Sequence, residues 1–127
     1  MAIESSVIFF PVSDIQRTAD FYVRVCGLKL HQSQGGGKSL IFDTGYGFIG
    51  FVEYGDGRPM PTGALSPCIS FNCRDEADVD AHFERVRADG AKVTAPPARH
   101  PRFPVYSCFF EDPDGYKVEF QKILEDA

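Results

Sequence analysis

Glu119, near the end of the chain, is a carboxylate that could do chemistry. It follows Asp-Pro-Asp-Gly at residues 112–115, which lies between two runs rich in aromatic and β-branched residues. This pattern predicts a hairpin, because Pro presets φ and Gly accepts positive φ. Alternation after the turn places Glu119 on the same face of the last strand as Lys117 and on the opposite face from Val118. Glu119 is therefore either a surface carboxylate or an acid directed into a pocket.

Thiols are the second group of reactive side chains. The sequence has four cysteines and no Cys-x-x-Cys pair, so it predicts free thiols in a reducing compartment rather than disulfides or a structural zinc site. Cys68 as a nucleophile would need a base or a positive charge beside it, and no histidine can be placed there, so a small buried side chain is favoured. Cys108 could face Glu119 across the closing hairpin, but the turn leaves the register open.

The three histidines are interpreted as ordinary surface residues. His31 is expected on the second strand and His82 on the solvent side of the second helix. His100 lies in a Pro/Arg loop at residues 97–103, which could fold over the mouth of a cleft. None of them is placed in a metal-ligating pattern.

The strands and helices that must position these groups occur in the same order in both halves of the chain. In the first half, a buried strand is predicted from Ser6 to Val12, and a helix capped by Ser13 and closed by Gly27 follows it. The triple glycine at residues 35–37 lies between strands and precedes no helix, so it predicts a flexible hairpin rather than a phosphate-binding loop. The remaining strands of this half are predicted at Leu28 to Gln34, Ser39 to Asp43 and Phe48 to Tyr54.

The same plan restarts after a Gly/Pro-rich loop at residues 55–67. A strand is predicted from Pro67 to Cys73, and Asp75 then caps a helix that Gly90 ends. The apolar stripe of that helix is Val79, Phe83 and Val86. A loop is expected from Pro96 to Pro104, and strands at Ala91 to Ala95, Val105 to Glu111 and Lys117 to Lys122. Each half therefore has the order β-α-β-β-β.

This repeat predicts a single α+β domain over residues 1–127, with internal repeats at about 1–63 and 64–127. In each module a helix covers one face of the sheet and leaves the other face without a partner. Two tandem βαβββ modules can curl their mixed sheets around an open, barrel-like cleft with the helices outside. A ferredoxin-like arrangement would use fewer strands per repeat and is the lesser alternative.

Composition narrows the classes of function. A net charge of -5 and a pI near 5.1 give no basic surface for nucleic acid and agree better with a cationic or neutral partner. The apolar runs are too short for a membrane helix, and the N-terminal residues lack the charged start of a signal peptide. The sequence thus predicts a cytoplasmic protein that binds neither nucleic acid nor membrane.

Two segments resemble a known family. They are Val12-Ser13-Asp14-Ile15 through Phe21-Tyr22-Val23-Arg24-Val25-Cys26-Gly27-Leu28, and the closing Glu111-Asp112-Pro113-Asp114-Gly115-Tyr116-Lys117-Val118-Glu119. Both are similar to the vicinal oxygen chelate superfamily, which includes glyoxalase I, extradiol dioxygenases and bleomycin resistance proteins. The resemblance covers essentially the whole chain and implies the two-module fold. It identifies the superfamily better than the activity of a member.

The resemblance also implies a metal site at four positions, which enzymes of the family fill with His, Glu or Gln. In this sequence these positions fall on Val7, Gly50, Cys68 and Glu119, and a short slip would exchange Gly50 for Glu53. Only Glu119 is a usual ligand, since Val and Gly side chains cannot coordinate a cation. We therefore expect no metal and no cofactor.

Strand alternation gives the expected lining of the cleft. The ligand-binding residues predicted in this way are Glu119, Cys68, Phe9, Phe48, Ser70, Asn72 and Cys108. Glu119 would be the principal recognition group, and the only catalytic residue if there is one. The alternatives are a carboxylate paired with a neighbour at the rim and a core that aromatic side chains simply fill.

The main functional expectation is a metal-independent protein, similar to bleomycin resistance proteins, that binds or sequesters a cationic or aromatic small molecule. The alternative is a lyase, isomerase or dioxygenase of the same superfamily with a non-standard divalent-metal site. A third reading is an adaptor domain without a small ligand. The resemblance also implies a homodimer.

Overall fold

The computed structural model describes residues 2–125 and divides the chain into two compact units, one ending at Met60 and one beginning at Pro61. Each unit contains one four-stranded mixed sheet and one α-helix. The predicted order of elements, β-α-β-β-β in each half, is confirmed. The chain therefore consists of two tandem α+β modules.

The first unit has the sheet order β1-β4-β3-β2. Strand β1 runs parallel to β4, and the other neighbours are antiparallel. The triple glycine forms a short turn between β2 and β3, as predicted, and each of its residues has a positive φ. The elements are β1 (Val7–Pro11), α1 (Ile15–Asp20), β2 (Lys29–Gln34), β3 (Ser39–Asp43) and β4 (Phe48–Val52).

Helix α1 begins one residue later than predicted. Asp14, rather than Ser13, is its N-cap, because the Asp14 carboxylate accepts the backbone N–H groups of Gln16 and Arg17. Ser13 instead accepts a hydrogen bond from the guanidinium of Arg17. A π-helical turn at Phe21–Val25 continues the helix.

One face of the first sheet packs against this helical segment. Tyr22 stacks on Phe51 with 4.4 Å between ring centroids, and both side chains are fully buried together with Phe42. Alternation along β4 then places Phe48 and Gly50 on the other face. The two aromatic residues of β4, Phe48 and Phe51, therefore lie on opposite faces of the sheet.

The second unit has the sheet order β5-β8-β7-β6. Asp75 caps its helix by accepting the backbone N–H of Asp78, and the helix ends just before Gly90, as predicted. The elements are β5 (Cys68–Asn72), α2 (Glu76–Ala88), β6 (Lys92–Arg99), β7 (Val105–Glu111) and β8 (Lys117–Ile123).

Strand β6 extends beyond its predicted end at Ala95 into the segment expected to be a loop. It contains Pro96 and Pro97, and its pairing with β7 shifts register on both sides of Ala95. Proline cannot donate to a ladder, but β6 is the edge of its sheet and needs donors on one side only. An irregular edge strand therefore tolerates both prolines.

The predicted hairpin at residues 112–115 is present. The Asp112 carboxylate is buried and accepts the backbone N–H groups of Asp114, Gly115 and Tyr116 through Oδ1, at 2.9, 3.0 and 2.9 Å. Gly115 has a φ of 97°, which favours glycine. The turn leads directly into β8 and sets its register against β7.

Helix α2 packs with Val79 and Val86 fully buried. The prediction for His82 is wrong, because its ring stacks on Phe120 of β8 with 4.5 Å between centroids instead of facing solvent. Burial lowers the pKa of His82, and the neighbouring Arg85 adds to the effect. His82 is thus a packing residue of the helix–sheet interface.

Within residues 2–125, neither helix has the length and the apolar run that crossing a membrane requires.

Candidate ligand-binding site

The second unit contains a cavity of about 420 Å³ on its sheet. Such a volume lies within the range of pockets that bind small molecules, roughly 300 to 1,000 Å³. The lining combines apolar, aromatic and a few polar side chains. Its residues are Cys68, His100, Phe103, Pro104, Val105, Phe109, Lys117, Glu119, Gln121 and Ile123.

Glu119 is the most buried polar side chain of this cavity, with 8% of the residue exposed. Parallel pairing of β5 and β8 sets Ser70 opposite Glu119 and Cys68 opposite Lys117. Oε1 of Glu119 accepts the hydroxyl of Ser70 at 2.5 Å and the thiol of Cys68 at 3.6 Å. Oε2 accepts no hydrogen bond from residues 2–125. One carboxylate oxygen is therefore held by the protein while the other remains available.

Cys68 is an exposed residue, which corrects the prediction of a small buried side chain. Its sulfur nevertheless lies against Ser70 and Glu119, since the thiol is also 3.3 Å from the Ser70 hydroxyl. Partial burial raises the pKa of the Cys68 thiol, and the carboxylate of Glu119 adds to this effect. The thiol thus stays protonated at neutral pH and acts here as a hydrogen-bond donor. All four cysteines are free, as predicted.

Two other predicted residues of the second unit have different surroundings. Oδ1 of Asn72 accepts the side-chain amide of Gln121 at 3.0 Å, so Asn72 supports a lining residue. Cys108 does not face Glu119, because it pairs with Phe120 and is fully buried. Burial raises the pKa of the Cys108 thiol to about 11. The residue across from Glu119 is Phe109, one position further along.

His100 and Phe103 reach the cavity from the loop between β6 and β7. Their rings lie 4.9 Å apart, and the backbone N–H of His100 donates to Val105. His100 was interpreted as a surface residue whose loop could fold over a cleft. The structure places its side chain in the cavity lining.

Phe9 and Phe48 belong to the first unit. The ring of Phe9 lies over Gly50, where a Cβ atom would come within 2.4 Å of Cδ1 of Phe9. Phe9 is 43% exposed, and Phe48 packs against His31 at 4.5 Å. Both aromatic residues lie on the sheet face opposite the helix, as alternation predicts.

The donor atoms do not match a metal site of the family type. Two of the four positions implied by the resemblance are Val7 and Gly50, and residues 2–125 contain no group of three or more His, Cys, Asp or Glu that could hold a metal ion. Glu53 is already bound, because its carboxylate accepts Lys38 at 2.7 Å and the backbone N–H of Ile15 at 2.9 Å. The hydrogen bond from Lys38 is the main reason why the pKa of Glu53 is lowered.

The first unit has a smaller hollow of about 230 Å³ beside residues 53–58. Its charged groups bind one another, since Arg58 forms an ion pair with Asp56 and stacks over the ring of Tyr54 at 3.4 Å. The hydrogen bond with Arg58 lowers the pKa of Asp56 to about 2. The cavity at Glu119 is the better candidate because its polar groups keep unused bonding capacity.

Several lining residues were not predicted from the sequence. Alternation along β8 already puts Gln121 on the face of Glu119, whereas Phe109 follows only once the register of β7 against β8 is known. Val105 and Ile123 pair at the far end of the same hairpin. His100 and Phe103 depend on a loop conformation that no periodicity encodes.

Known proteins identify the superfamily of this chain. A family model described as the Glyoxalase/Bleomycin resistance protein/Dioxygenase superfamily matches residues 6–120. The chain belongs to this superfamily, which confirms the resemblance seen in the sequence. Its similarity to a lactoylglutathione lyase of Neisseria meningitidis serogroup A is 29% identity over 122 residues, covering 86% of this chain and 83% of that protein.

Solved structures give the same fold. TioX from Micromonospora sp. ML1 is 26% identical, with a TM-score of 0.75 and coverage of 94% of this chain and 98% of that one. A lactoylglutathione lyase from Agrobacterium tumefaciens is 22% identical, with a TM-score of 0.71 and coverage of 95% and 92%. At that identity the second likeness shows the fold alone.

Proposed function

We propose that this protein binds a small molecule without a metal ion, and that the ligand presents a cationic or hydrogen-bond-donating centre to Glu119. The observation that carries the proposal is the carboxylate itself, 8% exposed and lining a cavity of about 420 Å³, with Oε2 unbound by residues 2–125. Superfamily membership supports a ligand-binding role but leaves the ligand open.

The energetics favour an occupant with a donor group. Burying a carboxylate removes part of its hydration, and this loss is compensated only by donors or a nearby positive charge. Ser70 and Cys68 supply neutral donors to Oε1 only. A ligand ammonium or N–H group would supply the missing donor to Oε2. The aromatic and aliphatic side chains of the lining would cover the apolar part of the same ligand.

Phenethylamine is a suitable probe because it joins an aromatic ring to a single ammonium group. Titration into the protein, followed by amide NMR spectra, should shift signals of β5 and β8. Glu119→Gln should weaken binding by roughly ten- to a hundredfold, since a charge-assisted bond is worth about 1.5–3 kcal/mol. Glu84→Gln, on the exposed side of α2, is the matched control and should bind like the parent. Equal binding by Glu119→Gln would remove that residue from the site.

The alternative is a divalent-metal enzyme with an unusual donor set. The identity with a lactoylglutathione lyase favours it, as does Glu119 at a position where the family places a ligand. Val7 and Gly50 oppose it, because neither side chain has a donor atom. Elemental analysis of purified protein separates the two functions. We expect well below one divalent ion per chain and unchanged phenethylamine binding after chelation; stoichiometric metal would contradict the proposal.

We also propose a homodimer in the cytoplasm. The dimer is supported by the resemblance to its superfamily, and the compartment by the free thiols of the four cysteines. Light scattering on purified protein tests the first proposal.

A further inference from the structure

His100 adds a second polar group to the cavity, and its loop determines which ring nitrogen is available. Nδ1 accepts the backbone N–H groups of Arg102 at 3.0 Å and Phe103 at 3.2 Å. A backbone N–H can only donate, so Nδ1 of the neutral ring carries the lone pair and the proton lies on Nε2. Nε2 has no acceptor within residues 2–125. His100, which lines the cavity, therefore keeps a free donor on its ring.

The loop holds this ring in place without a ligand. The backbone N–H of His100 donates to Val105 at 2.9 Å, and that of Val105 donates to Phe103 at 2.8 Å. The ring of Phe103 lies tilted against the imidazole. A donor fixed by its own loop loses little conformational entropy when a ligand binds.

Two residues that line the cavity thus keep unused bonding capacity, Glu119 an acceptor at Oε2 and His100 a donor at Nε2. Its lining also carries the cation Lys117, which lies on the same strand face as Glu119 and forms no ion pair within residues 2–125. A ligand with an amine alone would satisfy only the first of these groups. Phe103 and Phe109 offer apolar surface for an aromatic ring.

We propose that the cavity selects an aromatic molecule that carries both an amine, recognised by Glu119, and a carbonyl or carboxylate oxygen, recognised by His100. This inference rests on the proposed function and adds the acceptor group of the ligand. It makes His100 a residue that determines specificity. Lys117 favours an acceptor oxygen that bears negative charge.

The test compares three probes of similar size by NMR titration: phenethylamine with an amine only, hydrocinnamamide with a carbonyl group only, and phenylalaninamide with both. We expect phenylalaninamide to bind roughly five- to tenfold more tightly than phenethylamine, as one additional hydrogen bond allows. Hydrocinnamamide should bind most weakly, because it leaves the carboxylate without a cation.

Two variants of His100 separate the free donor from the loop. His100→Asn keeps an oxygen near the position of Nδ1 for the loop N–H groups but has no group at Nε2. It should bind phenethylamine like the parent and lose the advantage of phenylalaninamide. His100→Gln places an amide N–H nearer to Nε2 and should keep part of that advantage. An unchanged advantage in His100→Asn would overturn the proposal.

The outcomes distinguish this inference from the proposed function. If phenethylamine binds through Glu119 and the added carbonyl gains nothing, the role of His100 is wrong and the proposed function stands. If neither amine binds, both are overturned for aromatic amines. Side-chain nitrogen chemical shifts add an independent readout of the tautomer: the uncharged ring should carry its proton on Nε2, and an uncharged ring with its proton on Nδ1 would contradict the proposal.

Discussion

Strand pairing brings Glu119 and Cys68 into one hydrogen-bonded cluster. They are 51 positions apart in the sequence, yet parallel pairing of β5 and β8 brings the thiol within hydrogen-bonding distance of the carboxylate. Ser70 completes the group by donating to the same oxygen. Burial is the main cause of the raised pKa of the Cys68 thiol, and the carboxylate of Glu119 adds to it. A thiol in such a setting is a poor nucleophile at neutral pH.

The reactivity of Cys68 should therefore rise when the carboxylate is neutralised. Glu119→Gln removes a negative charge that raises the pKa of the thiol, so the alkylation rate of Cys68 should reach its midpoint at lower pH in the variant. Burial of the sulfur remains and limits the change. Iodoacetamide labelling across a pH series, read by peptide mass spectrometry, measures both midpoints.

Cys73 is the internal control for this experiment. Burial and the carboxylates of Asp78 and Asp75 raise the pKa of its thiol, and Glu119 is not among the causes. Its alkylation profile should be the same in both proteins. Parallel shifts at Cys68 and Cys73 would indicate a general loosening of the fold instead of a local charge effect.

The closing hairpin is the element on which the cavity depends. Asp112 fixes the turn through three backbone N–H groups, and the turn sets the register that pairs Phe109 with Glu119. The hairpin itself was predicted from Asp-Pro-Asp-Gly, because turn residues act locally. The register of the hairpin was not predicted. A shift of one residue decides whether Cys108 or Phe109 lies across from Glu119, and the turn sequence does not fix that shift.

Asp112→Ala should destabilise the protein by about 2–3 kcal/mol, because three N–H groups lose a buried acceptor together. Asp112→Asn keeps Oδ1 as an acceptor and should lose clearly less. Urea denaturation gives both free energies of unfolding. Equal losses for the two variants would show that the acceptor is not the source of stability.

At the scale of the whole molecule, the repeat was the most informative pattern in the sequence. It predicted both modules and every strand found within residues 2–125, because hydrophobic periodicity and helix caps recur in the same order. The structure differs from these predictions at two element boundaries. Asp14 rather than Ser13 caps α1, and β6 continues through two prolines that an edge strand can accommodate. The Pro/Arg loop at His100 was recognised in the sequence, but the orientation of its ring was not, because backbone N–H groups rather than periodicity orient it.

The ring of Phe9 over Gly50 also bears on how this chain could change over evolutionary time. Position 50 is where the resemblance to the superfamily implies a metal ligand, and any side chain there meets Phe9 before it reaches open space. A single substitution at Gly50 would therefore add a donor atom and a steric conflict at once. Because Phe9 is 43% exposed, its ring has room to turn away, so a side chain at position 50 can be accepted only together with a new orientation of Phe9. The two residues therefore form a coupled pair, in which the side chain allowed at position 50 depends on the residue at position 9.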